Sequence, residues 1–430
     1  MRDGVNELMN SKTVERRQPI PVKDAVQKVI ERIVEMPIQE VALEKSLGYY
    51  LAEPIIAKHD VPSFNNSPYD GFAIRAEDSV GASGENRIEF TVIDHIGAGH
   101  VSNETLGAFE AVRIMTGAAI PKGANAVVML EQTKQADKTF TIRKPFEPME
   151  NISLQGEDSK VGDELIAAGS VIHPGTIALL ATFGYATVAV RKKPVVGVVC
   201  TGTELIDIDE PLEHGKIRNS NGPMIIAQLK RLGVEAVYYG TLSDDFEDCL
   251  DLVKNALTEV DCLITTGGVS VGDFDYLPKI YDALEADVLF NKVGMRPGSV
   301  TTVAAIESKL LFGLSGNPSA CYSGFELFAR PAILTMMGSR KPYLPHTKAV
   351  LQEDILKPNP FTRFLRSICT FDGGNLAVAP AGFNKSNAVS AIAKANALIV
   401  LPRGTKEFRA GDEVDVLLLG TEEGIGTWQL

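Results

Sequence analysis

The first regular feature of the chain is an amphipathic helix. Between residues 22 and 34, apolar side chains recur every three or four positions, and lysine and glutamate occupy the opposite face. Pro19 and Pro21 precede this run, and proline favours the beginning of a helix. The pattern therefore predicts a helix whose apolar face is formed by Val22, Ala25, Val26, Val29, Ile30 and Ile33.

A different pattern begins near residue 50. Short runs of β-branched and aromatic residues there alternate with Gly, Pro and Asn. The runs at 90–93, 127–130 and 140–142 are typical of strands. We therefore expect an all-β domain over residues 50–160.

The segment after this domain returns to helical character. Its uncharged stretch at 169–190 has the length of a membrane span, but it contains Pro174, Gly175 and Gly184. These residues favour a helix at 176–183 followed by a strand. We expect residues 18–49 and 161–192 to form one linker domain of helical and extended structure that is split in the sequence.

From residue 193 to 340, short apolar strands alternate with amphipathic helices at the spacing of βαβ units. Asn219 or Ser220 is expected to cap one of these helices. The pattern predicts a doubly wound parallel sheet. Its predicted strands are 194–200, 234–239 and 262–266, and its predicted helices are 221–232, 246–257 and 321–334.

Residues 341–430 carry short strands separated by turn sequences such as Asp372-Gly373-Gly374, which suits a small β-barrel. The expected fold class is therefore multidomain α/β plus β. It combines a doubly wound α/β domain, an inserted all-β domain, the split linker domain and a C-terminal β-barrel.

Composition and charge narrow the class of protein. Apolar residues make up 45% of the 430 residues and charged residues 23%, as in ordinary globular proteins. The 55 acidic and 42 basic side chains give a net charge of −13, so a nucleic-acid partner is not expected. A membrane partner is not expected either, because the uncharged stretch 169–190 is interrupted by proline and glycine. An anionic substrate would need a local basic pocket. Because the first thirty residues lack the apolar core of a signal peptide, we expect a cytoplasmic protein.

Several common site types are not predicted. The five cysteines are widely spaced without a Cys-x-x-Cys pair, so we expect reduced residues in the core. The six histidines show no metal-ligand spacing, which argues against a structural zinc site. The chain also contains neither a Gly-x-Ser-x-Gly elbow nor a Walker sequence, which argues against a serine hydrolase and a P-loop NTPase.

A glycine-rich loop follows the predicted strand 262–266. It contains Gly267, Gly268 and Ser270 and ends at Asp275. Glycines at the carboxyl end of a parallel strand expose backbone N–H groups to an anion, so a phosphate cradle is the favoured interpretation. The alternative is a tight turn without a ligand. Thr201 and Glu204 follow the first strand of the same domain and would face the same crevice.

Carboxylates near this loop predict a cation site. Asp244 and Asp245 follow a predicted strand and would open into the same crevice as Asp275. Carboxylates beside a phosphate site suit Mg²⁺. The alternative is that one of the adjacent aspartates caps the following helix.

Two further groups of residues are candidates for ligand binding. Lys292 and Arg296 precede a tight turn and could neutralise an oxyanion, with a solvated basic edge as the alternative. The loop 313–319 leaves an apolar strand and precedes a helix, so its glycines place backbone donors at a helix N-terminus. The segments 66–71, 115–121 and 156–158 are taken singly as turns.

Together, and in this order, the motifs resemble the molybdopterin molybdenumtransferase family, which includes the C-terminal domain of gephyrin. The resemblance extends from about residue 22 to 419. The most specific motifs are Tyr69-Asp70-Gly71, Met115-Thr116-Gly117, Thr201 to Leu205, Gly267 to Asp275 and Gly316-Asn317-Pro318.

The resemblance implies an elongated homodimer whose active site lies between the α/β domain of one subunit and the β domain of the other. The implied reaction converts adenylylated molybdopterin (molybdopterin-AMP) and molybdate into molybdenum-molybdopterin and AMP, with Mg²⁺ required. The sequence leaves molybdate and tungstate open as the oxyanion. A contact with the molybdopterin adenylyltransferase is a further expected partnership.

The resemblance also implies roles for individual residues. Asp244 and Asp275 would bind Mg²⁺, with Glu204 in the same crevice. Asp70, Thr116 and Asp158 would reach in from the partner subunit to orient the substrate. Lys292, Arg296, Arg366 and Ser386 would hold molybdate. The remaining residues expected to bind substrate are Thr201, Gly267, Gly268, Ser270, Gly316, Asn317 and Ser319.

Two departures from the family pattern alter the expected site. The commoner Lys-Pro-Gly-Lys-Pro is here Arg296-Pro297-Gly298-Ser299-Val300, which replaces one cation and removes another. The usual Pro-Gly-Asn-Pro-Val-Ser is here 315–320, so the hydroxyl of Ser319 is shifted by one position.

Two alternative functions remain open on the residues alone. A molybdopterin adenylyltransferase shares the α/β domain, but the flanking β domains point away from it. A non-catalytic pterin-binding scaffold would belong to a different class, because a fold alone does not fix function.

Overall fold

The structure, a computed structural model, describes residues 18–242, 245–268, 276–372 and 374–420. These residues divide into two compact units. Unit 2 comprises Glu53–Ala168 and Gly175–Ala186, and the other described residues form unit 1.

The described residues contain helices between 5 and 14 residues long. They are α1 (Val22–Glu31), α2 (Pro174–Thr182), α3 (Asn221–Arg231), α4 (Phe246–Glu259), α5 (Leu277–Ala283), α6 (Pro318–Gly324), α7 (Arg330–Met336) and α8 (Ser390–Lys394). A π-helical turn (Phe325–Ala329) joins α6 to α7, and short 3₁₀ turns lie at Leu43–Lys45, Ala76–Ser79 and Leu130–Gln132.

The strands of the described residues are numbered in chain order. They are β1 (Ile38–Ala42), β2 (Ile55–Ile56), β3 (Gly71–Ile74), β4 (Ile88–Ile96), β5 (Glu110–Ile114), β6 (Ala126–Met129), β7 (Lys134–Gln135), β8 (Thr139–Ile142), β9 (Glu164–Ile166), β10 (Thr187–Arg191), β11 (Val196–Thr201), β12 (Leu205–Ile206), β13 (Ile217–Arg218), β14 (Ala236–Leu242), β15 (Cys262–Thr266), β16 (Asp287–Phe290), β17 (Met295–Arg296), β18 (Thr302–Ile306), β19 (Lys309–Leu314), β20 (His346–Leu351), β21 (Thr362–Asp372), β22 (Asn375–Pro380), β23 (Ala397–Leu401) and β24 (Glu413–Leu418).

Unit 1 contains the predicted α/β domain. Its sheet has the order β14-β11-β15-β19-β18-β16, in which the first four strands are parallel and β18 runs antiparallel to both its neighbours. The strand β15 is buried at every residue, as expected for a sheet that is covered on both faces. One apolar cluster joins α1, α3, α6 and α7 to one face, and a second joins α4 and α5 to the other. The doubly wound prediction is confirmed.

The C-terminal part of unit 1 is a closed β-barrel. Its strands follow the order β21-β22-β20-β24-β23, and β23 pairs back with β21 to close the ring. The short strand β17, which comes from the α/β domain, adds to β21 in parallel register. The sheet pairing therefore attaches the barrel directly to the α/β domain, and the predicted barrel is confirmed.

Strand pairing joins the two sequence segments that were expected to form the linker. In unit 1, β1 pairs with β10 in antiparallel register from Ile38 opposite Arg191 to Ala42 opposite Thr187. The helix α1 packs against α7 and β16, and Ala25 and Val29 on its apolar face enter the core of the α/β domain. The helix ends at Glu31, three residues earlier than predicted.

Unit 2 is built on a six-stranded sheet of order β6-β3-β5-β4-β8-β7. The strands β4 and β5 are parallel, and the other pairs are antiparallel. Its core includes the stacked rings of Phe72 and Phe140, whose centroids are 3.9 Å apart, with Phe90 at 5.4 Å from Phe140. Residues 50–160 form strands and short 3₁₀ turns, which agrees with the predicted all-β fold of this segment, and unit 2 also includes most of α2.

Two predicted elements differ from the structure. The helix predicted at 321–334 is interrupted by the π-helical turn, in which the buried carboxylate of Glu326 accepts hydrogen bonds from Gln228 at 2.8 Å and Arg231 at 2.5 Å. The strand predicted to end at residue 239 continues to Leu242, which lies opposite Thr201 of β11. Pairing with a neighbouring strand, which local sequence does not reveal, sets the end of β14.

The cysteine prediction is confirmed. All five cysteines are free and buried, and burial raises the pKa of the Cys200 thiol. In the described part of the chain, no helix has the length and apolar character needed to span a membrane.

Candidate functional site

One cavity of about 1150 Å³ lies at the carboxyl ends of β11, β15 and β19. Its wall contains Thr201, Glu204, Gly267 and Gly316, each in or just after one of these strands. Because the three strands are neighbours and parallel, the loops that leave them converge at one edge of the sheet. The structure thus brings together Thr201, Glu204, Gly267, Gly268, Gly316, Asn317, Arg296, Arg366 and Ser386 from the predicted site.

The first two glycines of the glycine-rich loop pack against the end of β11. Gly267 has φ of +93°, a conformation that favours glycine, and a Cβ added there would overlap the carbonyl oxygen of Thr201. A Cβ added to Gly268 would lie 3.0 Å from the Thr201 hydroxyl oxygen. The absence of side chains at these two positions therefore lets the loop backbone approach β11 closely.

Asn221, the first residue of the predicted helix 221–232, is part of the cavity wall. Its side-chain amide donates hydrogen bonds to the Thr266 hydroxyl and to the Gly316 carbonyl, both at 2.8 Å. Its Oδ1 is buried and lacks a partner among the described residues. Asn221 thus connects the last residue of β15 to the loop after β19 and retains an acceptor. A polar residue at the first position of a helix above the strand ends is the sequence feature that could have identified it.

Guanidinium groups from two strands form another part of the wall. Arg296 lies on β17, and Arg363 and Arg366 lie on β21. Arg366 is 1% exposed, and its Nη2 donates to the Lys385 carbonyl at 2.9 Å, whereas its Nε is buried without a partner among the described residues. Burial and the charge of Arg363 lower the pKa of Arg366 to about 10. This side chain is therefore a buried cation at neutral pH.

The loop 384–387 of the barrel also reaches the cavity and includes Ser386. Ser319 has a different location. Its side chain is fully buried, and its hydroxyl donates to the Ala388 carbonyl at 2.8 Å, while its backbone N–H donates to the Ser386 carbonyl at 3.0 Å. Ser319 therefore fastens the beginning of α6 to the barrel loop instead of lining the cavity.

The remaining predicted residues of unit 1 fall into two groups. Lys292 is absent from the cavity wall, and its carbonyl accepts a hydrogen bond from the Ile20 N–H at 3.1 Å. Asp244, Ser270 and Asp275 lie outside the described residues.

Asp245 accepts a hydrogen bond from the Asp248 N–H at 3.1 Å, which confirms the prediction that one aspartate of the pair Asp244 and Asp245 caps α4. In the described ranges, no group of three or more His, Cys, Asp and Glu side chains could hold a metal ion.

In unit 2, the two specific motifs meet. Asp70 immediately precedes β3 and Thr116 follows β5, its antiparallel neighbour. The Asp70 carboxylate accepts hydrogen bonds from the Thr116 N–H at 2.7 Å and from its hydroxyl at 2.9 Å, and these bonds lower the pKa of Asp70. Asp158 is exposed and accepts from the neighbouring Ser159 hydroxyl at 3.1 Å. The exposed carboxylate of Asp70 is thus held in place by Thr116.

Three known domain families match the chain in order. The MoeA N-terminal region (domains I and II) matches residues 20–184, the probable molybdopterin-binding domain matches 197–335, and the MoeA C-terminal region (domain IV) matches 348–419. The cavity described above is lined by residues from the second and third of these matches.

Relatives match over nearly the full length. A molybdopterin molybdenumtransferase from Staphylococcus aureus (strain COL) is 59% identical over 405 residues, which cover 94% of this chain and 97% of that protein. A protein of the same name from Staphylococcus epidermidis (strain ATCC 12228 / FDA PCI 1200) is 57% identical over 406 residues, again 94% and 97%. The crystal structure of the molybdopterin biosynthesis moeA protein from Pyrococcus horikoshii OT3 has a TM-score of 0.80 and 31% identity, and covers 93% of this chain and 100% of that one. On these matches, the chain belongs to the molybdopterin molybdenumtransferase family.

Proposed function

We propose that this protein transfers molybdenum from molybdate to adenylylated molybdopterin, with release of AMP, in the synthesis of the molybdenum cofactor. The observation that carries the proposal is that the wall of one cavity combines glycine-rich strand ends of the α/β domain with guanidinium groups of the barrel. Such a wall offers backbone donors to phosphate on one side and positive charge to an oxyanion on the other.

The proposed substrate-binding residues fall into two groups. Thr201, Gly267, Gly268, Gly316 and Asn317, together with Ser270, bind the phosphate and pterin parts of the substrate. Arg296, Arg366 and Ser386 hold molybdate beside the dithiolene sulfurs. Catalysis of this kind depends on positioning and on neutralising charge, and it requires no protein nucleophile.

Magnesium is part of the proposal. Glu204 places a carboxylate on the cavity wall, and Asp244 and Asp275 follow β14 and β15 in the sequence. The strands β14 and β15 both pair with β11, and carboxylate oxygens fit the donor preference of Mg²⁺, so Asp244 and Asp275 would hold the ion. When bound, Mg²⁺ would offset the negative charge of the phosphates.

The proposal also includes a cytoplasmic homodimer whose active sites are shared between subunits. Its support is that Asp70, Thr116 and Asp158 belong to family motifs but lie in unit 2, whereas the cavity lies in unit 1. In a symmetric dimer each shared site occurs twice. The adenylyltransferase that makes the substrate is the expected enzyme partner.

The experiment that tests the function measures AMP released from adenylylated molybdopterin by the purified protein, with and without molybdate. We expect AMP release that depends on molybdate, stops when EDTA removes the metal and returns when Mg²⁺ is added. Release of pyrophosphate from ATP and molybdopterin would instead support an adenylyltransferase. Tight pterin binding without AMP release would support a scaffold, and the absence of any pterin binding would disprove the proposed function.

A mixture of two inactive variants tests the shared site. Asp70→Ala removes a group of unit 2, and Arg366→Met removes a group of unit 1. If each site combines both units from different subunits, half of the randomly mixed dimers carry one intact site of two, so about a quarter of the wild-type activity should return. The measurement is AMP release after the variants are unfolded, mixed and refolded together.

The control for this mixture combines Asp70→Ala with Asp158→Ala, which both alter unit 2. This pair should remain inactive because no mixed site is intact. If the first mixture also remains inactive while refolded wild-type protein recovers its activity, the site is contained within one subunit.

A further inference from the structure

Arg363 lines the cavity but belongs neither to the predicted site nor to the residues of the proposed function. It lies on β21 directly opposite Arg296 of β17 in the parallel register of the two strands. Both side chains line the cavity. The Nη1 atom of Arg363 is buried and has no hydrogen-bond partner among the described residues. The guanidinium group is thus partly desolvated without the partners that usually offset this cost.

The surroundings of Arg363 are strongly positive. Of the described residues on the wall, Arg296, Lys357, Arg363, Arg366 and Lys385 are cations, whereas Glu204 alone is a carboxylate. This contrasts with a net charge of −13 for the whole chain. Burial and the charge of Arg296 lower the pKa of Arg363, because like charges in a desolvated site disfavour one another. An anion in the cavity would remove this repulsion.

A purely structural role for Arg363 would require a partner for its charge. Within the described residues, neither Arg363 nor Arg366 forms an ion pair with a carboxylate. Ser299, which follows Arg296 in the same turn, lies on the same wall and is uncharged. Arg363 therefore adds to this wall a cation that no carboxylate of the described residues pairs with.

We propose that Arg363 binds a doubly charged tetrahedral oxyanion together with Arg296 and Arg366, and thereby sets the affinity of the cavity for it. This assignment rests on the proposed function. The oxyanion is either free molybdate or the phosphate group of the nucleotide, since both present the same tetrahedral oxygens to a guanidinium fork.

The test measures the binding of sodium molybdate and, separately, of AMP to the full-length protein by isothermal titration calorimetry. Arg363→Gln should weaken the binding of one or both by about 10- to 100-fold, because it removes a charge-assisted hydrogen bond. Arg363→Lys should recover part of the loss, since it restores the charge without the planar fork. Arg403→Gln changes the same charge at an exposed position of the barrel away from the cavity wall and should bind as the wild type does.

The two titrations distinguish molybdate from the nucleotide phosphate as the ligand of Arg363. Weaker molybdate binding assigns Arg363 to the metal oxyanion, and weaker AMP binding assigns it to the phosphate. A higher KM for molybdate with an unchanged Tm would further support the first assignment. If Arg363→Gln binds both probes as tightly as the wild type, the inference is overturned while molybdate-dependent AMP release leaves the proposed function intact. If the wild type itself neither binds these probes nor releases AMP, the proposed function is wrong, and the assignment of Arg363, which rests on it, is wrong as well.

Discussion

Replacing Arg366 with methionine should lower kcat/KM for AMP release by about 10²- to 10³-fold without lowering the Tm. The substitution keeps an unbranched side chain of similar length and removes only the guanidinium. The cavity would then lack a preorganised cation that stabilises the negative charge of the transition state. The folded protein, by contrast, would lose a buried charge whose Nε lacks a partner among the described residues.

The lowered pKa of Arg366 gives the direction in which its charge contributes to stability. Since the folded-state pKa is about 10 and the ordinary value is 12.5, the charged form is disfavoured by folding. The charge therefore costs stability at every pH below about 10, and the cost disappears as the pH rises from the folded to the unfolded value. Methionine removes this cost at neutral pH, which is why we expect an unchanged or higher Tm.

The measurement combines steady-state kinetics with thermal unfolding, and Arg403→Met is the matched control. Arg403 is exposed on the same barrel and is absent from the cavity wall, so this variant should keep both its activity and its Tm. Retained activity in Arg366→Met would remove Arg366 from the mechanism. A large fall of its Tm would show that Arg366 is held for stability.

Gly267→Ala should lower the Tm by about 5 to 15 °C and remove most of the activity. The φ of +93° disfavours any residue with a Cβ, and the added methyl group would overlap the Thr201 carbonyl oxygen and lie 2.7 Å from its hydroxyl oxygen. Backbone strain and overpacking together cost roughly 2 to 6 kcal/mol. For a domain of about 150 residues, the length of the predicted α/β domain 193–340, each kcal/mol corresponds to about 2 to 4 °C.

The matched control is Gly411→Ala. Gly411 has φ of +95°, but a Cβ added there would meet nothing within 4 Å. This variant carries the backbone strain alone, so its Tm should fall by only a few degrees. Equal losses in the two variants, measured by differential scanning calorimetry, would mean that the approach to Thr201 contributes nothing.

The chemistry of the strand ends could be predicted from the sequence because it is local. Each of Thr201, Gly267 and Gly316 lies at or just after the carboxyl end of an apolar run that reads as a strand. Once these strands are taken as parallel neighbours, the three residues are expected at one edge of the sheet. The closing of the barrel was likewise predictable in kind from short strands and turns. Arg366 entered the prediction only through family resemblance.

The positions that escaped prediction depend on pairing between distant segments. Arg363 reaches the cavity because β21 pairs with β17, and the register of that pairing is not encoded in either strand alone. Ser319 lies outside the cavity wall for a similar reason, because its hydroxyl donates a hydrogen bond to the carbonyl of Ala388 in the barrel. Asn221 was missed because its two acceptors, at the end of β15 and in the loop after β19, lie 45 and 95 residues away in the sequence.

The addition of β17 to the barrel has a consequence for how this enzyme can be divided. The segment 193–340 expressed alone would keep the glycine-rich strand ends, but its Arg296 would have no β21 beside it, and Arg363 and Arg366 would be missing. Such a fragment would retain half of a ligand pocket. Recombination between family members should therefore exchange the α/β domain and the barrel as a single cassette, because a crossover between them would separate cations that have to be inherited together.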